Sequence, residues 1–179
     1  LGDVIMAVPL IRALRESRPE AEISLLAQAH FLPLLEELNL ANLLHSVPKK
    51  SGLRYFRFFR GLRKESLEAQ VLLTNSTRGD LEALMIGASS RFGIARPGKA
   101  RWLLTDLWKL PPDFKEGEIH QTHHWAQFFE HFGWKGALDL TPVDAFPREA
   151  VAGRVGLICA TENSPEKRWS VARWRDLVE

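Results

Sequence analysis

Apolar positions along the chain switch between a helical and an extended period. Val4, Val8, Ile11 and Leu14, with Ile5 and Leu10 beside them, recur at the spacing of one buried helix face. Asp3 stands where that helix begins, and Pro9 lies past its first turn, where it must kink the helix or leave one backbone bond unmade. After a turn at Pro19, residues 23–27 read as a strand. Residues 31–40 read as a short helix, 43–47 as a strand, and 51–65 as an amphipathic helix. Residues 69–76 form a strand running into a polar loop, 79–88 a helix and 90–95 a short strand. Strands alternating with helices in this way predict βαβ units around a parallel sheet.

The second half is less regular. Residues 96–119 carry Pro, Gly and charge and read as a long excursion; 120–133 read as a helix closed by Gly133. Residues 135–152 have the composition of an interdomain linker. A new strand at 154–161, a loop at 162–167 and a helix starting after Ser170, a suitable N-cap, follow. The expected organisation is therefore a domain over 1–134, a linker over 135–152 and the beginning of a second domain over 153–179. The chain starts on a loop entering a helix and stops inside one, so it is expected to be a piece of a longer protein.

Composition narrows this picture only a little. The 179 residues are 45% hydrophobic and 26% charged with a net charge of +2, an ordinary globular balance that does not single out nucleic acid as a partner. The single cysteine, Cys159, excludes an internal disulfide framework and a cysteine-based zinc cluster, and fits a reducing compartment. No run approaches the roughly 18 apolar residues that span a bilayer.

Four features carry candidate chemistry. Asp3 is either a helix N-cap, worth about 1 kcal/mol, or a general base that the helix N-terminus keeps ionised. Such a base suits an attacking sugar hydroxyl, whose proton becomes acidic late in the reaction. The segment "CATENSPEKRW" leads from a strand through Thr161 and Lys167 toward a helix. It is either a solvated basic loop or a phosphate cradle of backbone N–H groups, hydroxyls and one lysine. Between Lys49 and Lys64 lie Arg54, Arg57, Arg60 and Arg63 and no acid, with Leu53, Phe56, Phe59 and Leu62 as the expected apolar stripe. This is a core helix with a solvated basic face, or a surface for anionic lipid or a phosphorylated glycolipid. RNA is the weaker reading, since no RNA-binding motif accompanies it. His120, His123, His124 and His131 cluster, but no H-E-x-x-H pattern or third ligand supports a metal, and His120 is better suited to capping or orienting. No nucleophile elbow and no G-x-G-x-x-G fingerprint is present.

"LGDVIMAVPLIRALRESRPEAEISLLAQ", "VLLTNSTRGDLEALMIGASSRFGIARPGKARWLLTD" and "VGLICATENSPEKRWSVARWRDLVE" resemble, in this order, the opening, the middle and the second-domain start of the heptosyltransferases of glycosyltransferase family 9, the middle being similar to the heptosyltransferase II branch. The resemblance implies a GT-B architecture of two Rossmann-like α/β domains with parallel sheets. It implies inverting transfer of heptose from ADP-heptose to the lipopolysaccharide inner core, with no metal or cofactor required. By the same resemblance Asp3 matches the catalytic base, and Lys167, with Thr161 nearby, the donor-phosphate site. Asn75, Ser76, Arg78 and Arg96 fall on the acceptor side. The implied setting is the cytoplasm of a Gram-negative bacterium, with peripheral contact to the inner membrane and no nucleic acid. A first strand would precede Leu1, and the downstream Asp-Ser/Thr-Gly-x-x-His region would follow Glu179, so the chain by itself is expected not to turn over donor. Two alternatives stay open: a family member moving another sugar, and a noncatalytic module that binds carbohydrate or lipid A.

Overall fold

A computed structural model describes residues 2–49, 52–115, 117–141, 153 and 168–178. They divide into two compact units, Leu1–Ala145 and Phe146–Glu179.

The first unit opens with α1 (Gly2–Ser17), followed by β1 (Ser24–Gln28). The helix runs through Pro9, whose missing N–H leaves the Ile5 carbonyl without its helical donor. Its buried side is Ala7, Val8, Leu10 and Ala13. The apolar face is thus rotated from the one read off the sequence, because small alanines fit against neighbouring elements while Ile5 reaches solvent. The turn after α1 is stitched by Asn42, whose side-chain oxygen accepts from Arg15 and, at 2.8 Å, from the Ile23 N–H. A 3-10 turn and α2 (Leu32–Leu38) then cross to β2 (Leu43–Val47), which pairs parallel with β1, Ser24 opposite Leu43.

The helix α3 (Gly52–Gly61), extended by a 3-10 turn over Leu62–Glu65, precedes β3 (Ala69–Leu72), α4 (Thr77–Ile86) and β4 (Ser90–Ala95). The helix α3 buries Tyr55 and Phe59, and Leu62 in the turn beyond it. This spacing of four and three residues corrects the expected stripe. Leu53 and Phe56 do not join Phe59 and Leu62; they remain exposed. The long excursion also needs correction, since it contains a fifth strand, β5 (Asp106–Lys109), parallel to β4. The crossover over residues 96–105 has no helix, which is why the segment lacked the periodic signal of a βαβ unit. Two all-parallel sheets result, β1–β2 and β3–β4–β5.

The helix α5 (Gln121–His131) packs on α1. Ala7 and Leu10 of α1, Ile94 of β4, Leu110, and Trp125 and Phe128 of α5 form the main core, with Met6 and Leu73 against it. Burying a ring the size of Phe128 contributes about 1.5–3 kcal/mol. A second core joins Tyr55, Phe59, Leu62 and Ile86. Residues 138–141, within the stretch read as a linker, lie along α1: Leu138 packs on the main core and Arg12 reaches Asp139 and the Thr141 carbonyl. In the second unit α6 (Val171–Val178) is capped as expected, with the Arg173 N–H donating to Ser170 Oγ at 3.4 Å. Among the described residues no helix is long and apolar enough to cross a membrane.

Candidate functional site

In parallel α/β sheets ligands gather outside the carboxyl ends of the strands. Here that edge is built from the segments leaving β3 and β4 and from the start of α1. A short turn joins α1 to β1, which belongs to the other sheet. The main core links α1 to this edge: Met6 and Ala7, one turn from Asp3, share it with Leu73 after β3 and Ile94 near the end of β4. Asp3 itself is exposed in the first turn of α1. Asp3 is thus an acidic residue beside the positive end of the helix.

The loop after β3 holds Asn75 and Ser76. Ser76 is the N-cap of α4, its Oγ accepting from the Gly79 N–H at 3.0 Å. Gly79 is required by the tightness of this turn: a Cβ there would lie 2.9 Å from Thr74 Oγ1.

What holds the loop is a residue that sequence reasoning missed. Arg101, buried on the β4–β5 crossover, directs its guanidinium across the ends of both strands. Nε donates to the Asp80 carboxylate at 3.0 and 3.2 Å. Nη1 donates to Asn75 Oδ1 and the Ile94 carbonyl, both at 2.9 Å. Nη2 donates to the Thr74 carbonyl at 3.0 Å and to Asp80. Every guanidinium nitrogen is thereby satisfied, and the buried carboxylate of Asp80 has its counter-charge. Gly93 leaves room for this: a Cβ on β4 at that position would sit 2.8 Å from Arg101 Nη1. Asn75 is accordingly committed, through its side-chain oxygen, to shaping the loop. A basic residue in a Pro- and Gly-bearing segment gives no sequence signal of burial, and neither does an Asp in the first turn of a helix.

Arg78 is exposed in the first turn of α4, close enough to the Tyr55 hydroxyl to affect its ionisation. Tyr55 donates its hydroxyl hydrogen to Glu82 of α4. Burial first, and then Glu82, push the phenol up to about 12. Arg96 leaves the end of β4 half-buried, its carbonyl accepting from the Lys99 N–H at 3.1 Å. Arg96 thus stands at the same sheet edge as Asn75 and Ser76. Trp102, next to Arg101, is 90% exposed. Thr161 and Lys167 lie outside the described residues.

His120 does cap, as its sequence suggested: its Nδ1 accepts from the Thr122 N–H at 3.3 Å. Thr122 in turn donates to the Met6 carbonyl at 3.4 Å, which seats the start of α5 beside the first turns of α1. His120 therefore precedes the helix, and His124 is buried beside the rings of Trp108 and Phe114, at centroid distances of 5.3 and 4.9 Å. The four-residue spacing does not bring two free ligands to one face. Among the described residues no group of three or more His, Cys, Asp or Glu side chains is placed to hold a metal.

This parallel α/β unit with its polar loops on the strand ends is Rossmann-like, and solved structures of the GT-B type match it. It resembles Escherichia coli ADP-heptose lipopolysaccharide heptosyltransferase II with a TM-score of 0.52 and 31% identity, over 62% of this chain and 32% of that one. It resembles a family 9 glycosyltransferase from Veillonella parvula with a TM-score of 0.61 and 18% identity, over 75% of this chain and 38% of that one. The chain thus has the fold of the family 9 heptosyltransferases, and spans about a third of the length of these two proteins. No protein-family model and no curated protein matches the sequence.

Proposed function

We propose that the chain is part of an inverting glycosyltransferase that moves heptose from ADP-heptose to the inner core of lipopolysaccharide. Similarity to a heptosyltransferase II at 31% identity supports the substrate class. The observation that supports the reading is that Met6 and Ala7, one turn from Asp3, share a core with Leu73 after β3 and Ile94 of β4.

In this mechanism the acceptor hydroxyl oxygen bonds to the anomeric carbon as the bond to the ADP oxygen breaks. Attack from the side opposite the leaving group inverts the centre. The hydroxyl proton passes to the Asp3 carboxylate, and the electron pair leaves with ADP. Lys167 and the N–H groups of the Thr161 loop stabilise the charge growing on the diphosphate. Asn75, Ser76, Arg78 and Arg96 face the acceptor, Asn75 and Ser76 by fixing the loop and the arginines by attracting phosphates. The reaction proceeds without a resident metal or cofactor. The setting is the cytoplasmic side of the inner membrane of a Gram-negative bacterium, where the lipid-linked acceptor requires peripheral contact and no nucleic acid takes part.

The test is Asp3→Ala in the protein expressed from its full reading frame, with radiolabelled ADP-heptose and a soluble heptose-bearing acceptor. Loss of a general base lowers kcat by about 100- to 10,000-fold, and donor affinity stays within about twofold because the carboxylate acts late in the reaction. Unchanged kcat with collapsed donor affinity refutes the assignment.

A further inference from the structure

The outer surface of α3 is not an ordinary solvated face. Positions 53, 56, 57 and 60 follow the i, i+3, i+4, i+7 pattern and share one side of the helix, opposite the buried Tyr55 and Phe59. On that side Leu53 is 75% and Phe56 46% exposed, and Arg57 and Arg60 stand exposed beside them, with Arg54 at the flank. A solvated helix gains nothing from an exposed leucine and phenylalanine set among arginines. Residues 49–64 hold no acid. Glu82 of the adjacent α4 is turned to the Tyr55 hydroxyl. Arg63 turns away from this face to the carbonyls of Leu84 and Met85. The outer face of α3 itself thus carries positive charge, with apolar side chains projecting through it. This is the arrangement of a helix lying in a lipid interface.

Its location adds to the argument. Tyr55 meets Glu82 and Arg63 meets Met85, so α3 and α4 run side by side in the same direction. Leu53 and Phe56 therefore lie toward the helix ends where Ser76 caps α4, and the patch adjoins the proposed acceptor edge.

We propose that the outer face of α3 docks the protein on an anionic lipid bilayer. Leu53 and Phe56 enter the boundary between headgroups and acyl chains, and Arg57, Arg60 and Arg54 engage lipid phosphates. The proposal deepens the membrane contact of the function proposed above and rests on that reading for its setting. Its test does not depend on sugar transfer.

Flotation of the full chain with vesicles of phosphatidylcholine and phosphatidylglycerol, against phosphatidylcholine alone, reads the contact. Binding is expected on the anionic vesicles only, weakening with added salt. Arg57→Gln with Arg60→Gln should lower partitioning about 25-fold, taking about fivefold for each arginine at an anionic surface. Leu53→Ser with Phe56→Ser should lower it roughly tenfold or more, with unchanged far-ultraviolet circular dichroism because both sites are exposed. Arg18→Gln, on the far end of α1, should change nothing. Equal binding to both vesicle types, or full binding by either double variant, overturns the proposal. So does a chain that ignores vesicles but binds single-stranded RNA through the same arginines. If vesicles are not bound while a soluble acceptor is still glycosylated, the docking face fails and the transferase reading stands. If vesicles are bound and no sugar is transferred, the docking face stands and the transferase reading fails.

Discussion

Replacing Arg101 by methionine tests the architecture of the candidate site at its centre. Methionine keeps most of the side-chain volume on the β4–β5 crossover and removes the charge. The Asp80 carboxylate, 4% exposed, then loses its counter-ion, and Asn75 Oδ1 and the Thr74 and Ile94 carbonyls lose their donor. Breaking a buried pair from one side costs about 3–5 kcal/mol, most of it the uncompensated charge. For a unit of this size a loss of 1 kcal/mol lowers Tm by about 2–4 °C, so the transition should fall by roughly 6–20 °C. The readouts are urea unfolding followed by circular dichroism, and hydrogen exchange at the amides of residues 73–76, which should quicken as the loop is released. The double variant Asp80→Leu with Arg101→Met removes both charges and should recover most of the loss, since apolar replacement of a whole buried pair is near neutral. A single variant within about 0.5 kcal/mol of the parent, or a double variant no better than the single, would refute the buried-pair reasoning.

Two further outcomes are expected. Tyr55 is the sole tyrosine, so the ultraviolet absorbance of phenolate reports it directly; its midpoint should lie near 12, and Glu82→Gln should lower it. A phenol raised in the folded state contributes stability that is whole below about pH 10 and is lost as pH rises from there through about 12. Ser76→Ala removes the α4 cap and should cost about 1 kcal/mol in urea unfolding, with Ser76→Gly a few tenths.

Much of the fold was legible because local signals agreed with one another. The strand at Leu43–Val47 emerges where its short apolar run predicted, and Ser170 and Gly133 mark the helix ends assigned to them. The strand Asp106–Lys109 was hidden, because its crossover is a loop and Pro97, Gly98 and neighbouring charges mask any period. On α3 the sequence offered one apolar stripe, Leu53, Phe56, Phe59 and Leu62, and only packing in the folded unit chose Tyr55, Phe59 and Leu62 for the interior.

By itself the sequence determined the alternation of strands and helices, the caps, the basic run and the motifs that point to a family 9 fold. Tertiary structure alone decided which charges are buried. Asp80 and Arg101 are 21 positions apart, and nothing in their spacing distinguishes them from surface residues. They pair because β3 and β4 finish side by side, and Gly93 leaves room for the Arg101 guanidinium. A buried charge is tolerable only where a partner of opposite sign and matching geometry is brought to it, and that juxtaposition is a property of the fold, not of local propensity.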